Sequence, residues 1–430
     1  MNKRLPVKLS RFRDRPLLGR RALLNSRTML PASTSINRLD TERTQPLRNA
    51  QEFGDRFVLW QSPYGSSDPE KCPYRTPGPW NAYHLHLNGP VARALYRLYQ
   101  RTGIRRYKES ADRYAVFMIS TLYPPLEPYV DTVELNGEYR HMFSAAFMYG
   151  KALSPSYEWF CRFNPKESAL EMKAFAIYRW LQRHRRADSY FGVGYPGATS
   201  PDAQFTVDLG EVGAGLVGFY NASGYQPVLD DALGLAKFFL TDCHEGSGRG
   251  VWSPRLGAWV VGPWPGTGAE QFTNQIFNKS ARGQAELVPA EFLLALRHHV
   301  QDSSLSSDIV NKCISAFRWC MDACQFEDGA HGMFGRDDKW VGQTAMAILL
   351  YAGLRADGLI PPEIETDYRP KVEKSWHWLL GHTGPTTFPP DGYIRVNGTT
   401  TKKPLENLVW HMAWTVEALI EGEKIFERNI

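Results

Sequence analysis

Six helical stretches of this sequence each begin with a cluster of polar and aromatic residues. The clusters occupy positions 80–86, 138–141, 208–211, 278–284, 336–340 and 406–411. More ordinary amphipathic helical patterns lie between them, so the chain is a series of helical pairs that repeats every ~50–70 residues. Repeated helical pairs are typical of a solenoid or a closed array. The sequence therefore predicts an all-α fold, an (α/α)6 toroid with small β-hairpin excursions in its loops, whose helix openings surround one cavity.

The first 50 residues differ in character from the rest of the chain. They are basic and polar, and Lys and Arg crowd together within the first ~30 of them. They lack the amphipathic spacing and the interleaved aromatic residues of a nucleic-acid or membrane-binding arm. We therefore predict a poorly ordered segment at 1–50 and a single toroid catalytic domain at 51–430. Because no helix follows the last predicted one, near 404–426, its outer partner is expected to come from the N-terminal region.

Several classes of protein are excluded by what the sequence lacks. No apolar run approaches the ~18 residues of a membrane span, and no apolar core of a secretory signal follows the first basic residues. We therefore predict a cytoplasmic protein that binds neither membrane nor nucleic acid. Phosphate-binding glycine loops, the dinucleotide-binding fingerprint and the nucleophile elbow are also absent, so no cofactor is expected.

Histidine and cysteine residues give little support for a metal site. His84 and His86 would point in different directions from a helix, and no third ligand stands near them in the sequence. Cys313, Cys320 and Cys324 share one helical face, which is typical of buried apolar packing. We therefore predict no metal ion.

A Gly- and Trp-rich stretch between 246 and 268 interrupts the helical pattern. Two short apolar runs, at 251–252 and 258–261, flank the sequence Ser-Pro-Arg-Leu-Gly, a pattern that indicates a short β-hairpin. Since no core packing is expected in such a loop, we predict that Trp252 and Trp259 are exposed. Exposed indole rings of this kind suit stacking against sugars.

Three segments resemble known families. Residues 215–232 (GLVGFYNASGYQPVLDDA) and 95–107 (LYRLYQRTGIRRY) resemble the hairpin signature of six-hairpin glycosidases and related polysaccharide lyases. Residues 281–285 (ARGQA) are similar to a segment of unsaturated glucuronyl hydrolases. The resemblance covers about 80–425 and implies an (α/α) toroid that acts on carbohydrate. Since this fold hosts hydrolases, lyases, phosphorylases and epimerases, it does not specify the reaction.

Hydrolysis of a glycosidic bond needs two carboxyl groups, one protonated and one ionised. Asp208 and Glu211 lie three residues apart, on one face of the third opening, and Asp338 lies in the fifth opening. Asp at a helix start is also a common N-cap, so Asp208 and Asp338 fit both roles. For a hydrolase we expect Asp208 or Glu211 as the acid and Asp338 as the second carboxylate. The resemblance to glucuronyl hydrolases implies that Arg282 and His141 bind the substrate carboxylate.

Elimination from a uronic acid needs a base instead, together with groups that neutralise the substrate carboxylate. Tyr139 or Tyr195, paired with His84 or His141, could supply the base and the acid. A histidine on a helix is as often a packed core residue as a catalyst, so the sequence leaves this alternative open.

We therefore predict an enzyme that cleaves an acidic, uronate-containing oligo- or polysaccharide, and we favour hydrolysis over elimination. A non-catalytic glycan-binding toroid is the third alternative, and a terpenoid-type cyclase is disfavoured because no DDxxD-like cluster is present. The residues expected to bind the glycan are Asn81, His86, Arg140, Trp252, Trp259, Asn274, Arg282, Gln284, Trp340, Gln343, Trp410 and His411.

Overall fold

Twelve α-helices dominate the part of the chain that the computed structural model describes. They are α1 Gln45–Leu59, α2 Leu85–Thr102, α3 Arg105–Thr121, α4 Glu158–Phe163, α5 Ser168–Arg183, α6 Thr206–Ser223, α7 Gln226–Leu240, α8 Gly283–Arg297, α9 Ser303–Trp319, α10 Val341–Ala356, α11 Pro362–Gly381 and α12 Glu406–Gly422. A π-helical segment, Ala152–Tyr157, precedes α4, and two others, Cys320–Cys324 and Glu423–Glu427, follow α9 and α12. The structure describes residues 44–63, 65, 85–121, 132–135, 138–141, 149–164, 167–185, 206–243, 250–260, 283–333, 335–384, 387–389, 392–396 and 406–427.

The even-numbered helices form a closed inner layer. Starting from α2, the contacts run to the Ala152–Tyr157 segment with α4, then to α6, α8, α10 and α12, and from α12 back to α2. The odd-numbered helices lie outside, each against its hairpin partner, and α1 packs on α12. The predicted (α/α)6 toroid is confirmed, and the outer partner of the last helix does come from the N-terminal region. α1 begins at Gln45, a few residues before the boundary predicted at 50.

The sequences of the inner helices suit their position. α6 is buried along most of its length, with small residues where neighbouring helices approach closely. A Cβ atom added to Gly215 would lie 2.6 Å from the carbonyl oxygen of Gly150, closer than a real Cβ can approach. Because a helix with neighbours on several sides has little solvent-facing surface, α6 lacks the polar stripe that an outer helix shows.

The connections at the two ends of the toroid differ in length. Inner helices lead to outer helices through turns of a few residues, and Gly103, Gly224 and Gly358 end three of these inner helices with positive φ angles of 70°, 69° and 65°. Glycine takes this left-handed conformation without a Cβ clash, so it stops a helix sharply. The return connections from outer to inner helices are long, as at 122–148 and 241–282. All inner helices therefore begin at the end that carries the long connections.

Three short antiparallel strand pairs lie within the described part of these connections, and the first two are hairpins. They are β1 Thr132–Leu135 with β2 Glu138–His141, β3 Trp252–Ser253 with β4 Ala258–Trp259, and β5 Lys339–Trp340 with β6 Tyr393–Ile394. The hairpin predicted near 251–261 is confirmed, with Trp252 opposite Trp259. The interpretation of 138–141 as a helix opening is wrong, because these residues form β2. Asn136-Gly137, between the two strands, is a strong hairpin-turn sequence that could have predicted this.

Among the described helices, none combines the length and the apolar character needed to cross a bilayer. The described cysteines are free thiols, and Cys313, Cys320 and Cys324 are buried as predicted.

Candidate functional site

The end of the toroid with the long connections gathers the polar helix openings. Long loops on a rigid scaffold are the usual position of binding and catalytic residues. The N-termini of the inner helices also carry partial positive charge, which favours acidic side chains and anionic ligands there. We therefore locate the candidate site at this end.

Two carboxyl groups lie in the first turns of α6. Asp208 and Glu211 are only 4% and 8% exposed. Their spacing of three residues places both on one face of the helix. Two buried carboxyl groups that are helical neighbours repel each other when both are charged.

Lys151 forms an ion pair with Glu211. Its side chain is 1% exposed, and its Nζ donates a hydrogen bond of 2.7 Å to Glu211 Oε1. Burial lowers the pKa of Lys151, and the contact with Glu211 opposes that effect. The contact fixes Glu211 Oε1 against this ammonium group. Lys151 was not among the residues predicted from the sequence, where it stands as a lysine within an apolar stretch without a visible partner.

A second group of buried polar residues lies at the openings of α10 and α12. The side chains of Trp340 and His411 are in contact, with ring centroids 5.7 Å apart. Gly342 lies so close to the imidazole of His411 that an added Cβ atom would clash with it. Gln343 is buried, and neither atom of its amide has a hydrogen-bond partner within the described residues. A buried amide without partners is costly, so Gln343 has unused hydrogen-bonding capacity at the mouth of the toroid.

Asp338 precedes β5 and is fully buried. Its Oδ1 accepts a hydrogen bond of 2.8 Å from the backbone N–H of Val396. The neighbouring Asp337 accepts a hydrogen bond from the backbone N–H of Met333. Both carboxylates therefore hold loop backbone at this end, which fixes the position of Asp338 at the opening of α10.

The expectation that Trp252 and Trp259 are exposed is wrong. They are 6% and 0% exposed, their rings meet edge to face at 5.3 Å, and Trp259 Nε1 donates a hydrogen bond to the carbonyl oxygen of Phe239. The hairpin packs back onto the helices, so neither ring is available as a sugar platform. Trp340 is equally buried, beside Met333 and His411.

Glu286 was also missed by sequence reasoning. It is fully buried on α8, and its Oε2 accepts a hydrogen bond of 3.1 Å from the backbone N–H of Trp259. Burial raises the pKa of Glu286 well above its ordinary value, against the smaller effect of that hydrogen bond. Its contact with β4 indicates a role in anchoring the hairpin.

The remaining predicted residues are only partly described. His84, Tyr195, Asn81, Asn274 and Arg282 lie outside the described residues. Six others belong to the described part through their backbone alone: Tyr139, Arg140 and His141 on β2, His86 on α2, Gln284 on α8 and Trp410 on α12.

Ion pairs fill the interior of the toroid below the site. Arg93 contacts Glu291, and its Nε lies 2.8 Å from Glu417 Oε1. Burial opposes the charge of Arg93, but the two carboxylates outweigh burial and raise its pKa. Between Arg93 and the Lys151–Glu211 pair is a space of about 10 Å³, roughly the size of one water molecule.

A larger cavity, of about 570 Å³, opens at the end with the short turns. It is lined by the C-terminal halves of the inner helices, and its charged groups are paired with one another. Arg97 contacts Glu421 at 3.2 Å, and Asp357, also in the lining, contacts Arg297 at 3.4 Å. Because it lies away from the polar openings and the long connections, we do not assign the chemistry to this cavity.

No protein-family model and no curated protein matches this chain. Solved structures match it over most of its length. An unsaturated glucuronyl hydrolase specific for heparin is 10% identical and covers 89% of this chain and 98% of its own, with a TM-score of 0.60. A D-mannose isomerase is 13% identical, covering 92% and 100%, with a TM-score of 0.57.

A third match is an α-1,6-mannanase of Salegentibacter sp. HEL1_6, in an inactive variant bound to α-1,6-mannotriose. It is 11% identical and covers 87% of this chain and 99% of its own, with a TM-score of 0.57. Identities this low establish the fold alone. The chain therefore has the (α/α)6 toroid fold, which glycoside hydrolases, a polysaccharide lyase and sugar isomerases share.

Proposed function

We propose that this protein is a glycoside hydrolase that cleaves an acidic, uronate-containing glycan at the end of the toroid with the long connections. The observation that carries the proposal is the pair of buried carboxyl groups, Asp208 and Glu211, of which Glu211 accepts a hydrogen bond from Lys151. Two carboxyl groups with different surroundings are the usual basis for dividing acid and base roles. Structural similarity to enzymes that act on sugars supports the carbohydrate class.

In this proposal Asp208 carries a proton and donates it to the glycosidic oxygen as the bond to the sugar breaks. Asp338, held in place by Val396, is the second carboxylate, which removes a proton from the attacking water. The protons balance, because the leaving sugar gains one proton from Asp208 and the water loses one to Asp338. Gln343 and His411 would hydrogen-bond the sugar at the opening of α10 and α12.

The preference for an acidic substrate has two supports. The sequence resemblance implies that Arg282 and His141 bind the substrate carboxylate. In addition, one structural neighbour is a glucuronyl hydrolase specific for heparin, an acidic glycan. Location in the cytoplasm remains a prediction from the sequence.

The test is a panel of polyuronates and unsaturated uronate oligosaccharides, followed by ultraviolet absorbance of the unsaturated uronate and by release of reducing ends. Loss of absorbance on unsaturated substrates, or new reducing ends without a rise in absorbance, is expected for a hydrolase. Absence of turnover on every substrate would contradict the proposal.

The same panel tests the roles of the two carboxyl groups. Asp208→Asn should lower kcat on the order of 10²–10⁴-fold, the usual contribution of a general acid. Asp230→Asn, an exposed position on α7, serves as the matched control. For Asp338→Asn, a loss of activity at unchanged stability supports the role of a base. A loss of stability with kcat unchanged would instead assign Asp338 to loop anchoring alone.

A polysaccharide lyase is the second candidate. It is favoured by one observation, the placement of Tyr139 and His141 two residues apart on β2. A rise in ultraviolet absorbance on saturated polyuronates would identify elimination. Saturable binding of a glycan in calorimetry without any turnover would identify the third alternative, a non-catalytic binding toroid.

A further inference from the structure

The cavity at the end of the toroid with the short turns is large enough to hold a ligand. Its volume of about 570 Å³ lies within the usual range for a small-molecule pocket, about 300–1,000 Å³. Leucine, valine and alanine side chains of α6, α8 and α10 form much of its wall, and charged groups lie among them. None of the residues that line it takes part in the proposed reaction. This cavity is therefore a candidate for a second, separate binding site.

One face of α8 lines the cavity from its floor to its rim. Glu291, Leu294, Ala295 and His298 all belong to the lining, and their spacing of three, four and seven residues places them on the same face of the helix. Because the inner helices run towards the short turns, Glu291 is the deepest of the four. Seven residues of α-helix rise about 10 Å. The carboxylate of Glu291 therefore belongs to the floor, about 10 Å of helix below the rim.

Glu291 has an oxygen available to a ligand. Its Oε1 contacts Arg93, and among the described residues no other side chain bonds to it. Its side chain is 39% exposed, although it lies on an inner helix, because the cavity reaches it. Arg93 is shared with Glu417, whose Oε1 lies 2.8 Å away. Lys151, deeper in the interior, is paired with Glu211. Glu291 Oε2 can therefore accept a hydrogen bond from a cation in the cavity.

The rim carries a second carboxylate, Asp357, which follows α10. Its Oδ2 lies 3.4 Å from Arg297 and 3.3 Å from His298, and no described residue bonds to Oδ1. Burial lowers the pKa of the neighbouring His299, which is therefore neutral near pH 7. The C-terminal ends of the inner helices also carry partial negative charge at this rim. Floor and rim therefore both favour a positively charged ligand.

The arginine residues on the opposite wall, on α2 and α4, already have partners. The guanidinium groups of Arg97 and Arg162 lie over the ring of Trp159, at 4.9 and 4.4 Å from its centre. Arg97 contacts Glu421 at 3.2 Å, and Arg162 contacts Glu158. These two cations therefore need no anion from a ligand.

We propose that this cavity binds a linear polyamine. One ammonium group contacts Glu291 at the floor, and a second, about 10 Å away, contacts Asp357 at the rim. The methylene chain between them lies on Leu294 and Ala295. Each ammonium–carboxylate contact is a charge-assisted hydrogen bond, and the methylene groups cover apolar surface. The site is separate from the glycan site and does not depend on the proposed reaction.

Isothermal titration calorimetry of the whole protein tests the length and the charge of the ligand. Spermidine and 1,8-diaminooctane should each bind saturably, because both can reach the two carboxylates. The short 1,3-diaminopropane cannot reach both, and octylamine has a single ammonium group. Each of these two should bind about tenfold more weakly or worse. Equal affinity for the long and the short diamine would overturn the proposal, as would absence of saturable binding.

Substitutions in the cavity test its position. Glu291→Gln keeps the size of the side chain, and Arg93 retains Glu417 as its partner. Affinity for 1,8-diaminooctane should fall about tenfold or more in this variant. Ala295→Phe should also weaken binding, because its ring fills the path of the methylene chain without changing any charge.

Glu363→Gln, at an exposed position on α11, is the control for loss of one negative charge and should bind as the unchanged protein does. Circular dichroism verifies that each variant is folded. If Glu291→Gln and Glu363→Gln bind 1,8-diaminooctane equally well, the diamine binds by general surface attraction and the proposal is overturned. Because calorimetry needs no turnover, lack of activity on the glycan panel leaves this test unchanged.

Discussion

At the scale of single residues, burial determines the chemistry of several ionisable groups. Glu286 lies on α8 with no solvent contact, and burial raises its pKa well above the ordinary value. The native state therefore binds a proton on Glu286 more tightly than the unfolded chain does. The contribution of this proton to stability is complete below the unfolded pKa of about 4.3. It is lost progressively as pH rises from there towards the higher pKa of the folded protein.

Glu286→Gln removes this pH dependence. The variant should have the same free energy of unfolding as the unchanged protein near pH 4. Above about pH 7 it should be more stable, because glutamine is neutral at every pH and does not have to take up a proton when it is buried. Urea denaturation at the two pH values measures the difference. The exposed Glu363→Gln is the control for loss of one negative charge. Equal pH dependence in Glu286→Gln and the unchanged protein would show that Glu286 is ionised in the fold.

The structure places Asp208 and His411 in the opening turns of α6 and α12, where two of the polar clusters lie. Their roles stay predictions. Lys151 was missed because local pattern does not show that a lysine in an apolar stretch points inward to a partner 60 positions away. The exposure of Trp259 was predicted wrongly because a Gly-rich loop sequence does not show that the loop packs against α7 and α8.

At the scale of elements, helical periodicity predicted the pairs of helices well. The error at β2 arose because the polar residues at 138–141 were given more weight than the turn sequence Asn136-Gly137 before them. The distance between two inner helices, in contrast, depends on side chains that are far apart in sequence. Gly342 and His411 illustrate this, because α10 and α12 can approach only where one of them has no side chain.

Gly342→Ala should therefore destabilise the protein by about 1–3 kcal/mol, the usual cost of overpacking. Gly353→Ala is a control in the same helix, since its added Cβ would make an ordinary contact of 3.7 Å with Leu294. Gly353→Ala should leave the stability unchanged or raise it by up to about 1 kcal/mol, because alanine has a higher helix propensity than glycine. Urea denaturation compares the two variants, and equal stability would show that α10 and α12 can move apart at this point.

At the scale of the whole molecule, α1 closes the outer layer. Its buried face includes Phe53 and Phe57. Its polar contacts reach the other end of the chain: Asn49 Nδ2 donates to Thr383 Oγ1 at 3.2 Å, and Thr44 Oγ1 donates to Glu423 Oε1. If α1 is part of one cooperative unit, damage to this face must lower the stability of the entire toroid.

Phe53→Ala tests this expectation. The loss of a buried ring should cost about 3–5 kcal/mol, and near-ultraviolet circular dichroism, tryptophan fluorescence and amide exchange in α6 should all report the same loss. Leu59→Ala, at an exposed position on α1, should change stability by less than about 0.5 kcal/mol. If the amides of α6 kept their full protection from exchange in Phe53→Ala, α1 would be shown to detach on its own.

The closure of the toroid by α1 also has a consequence for synthesis on the ribosome. Asn49 and its partner Thr383 are separated by 334 positions, and translation proceeds at about 5–20 residues per second. The part of the α1 face that packs on α12 therefore stays uncovered for roughly 15–70 s, until the C-terminal helices emerge. During that time the nascent chain carries a partly uncovered apolar helix, which is the kind of surface that chaperones bind. We expect the yield of folded protein to depend on chaperones during translation more than on the final stability of the toroid.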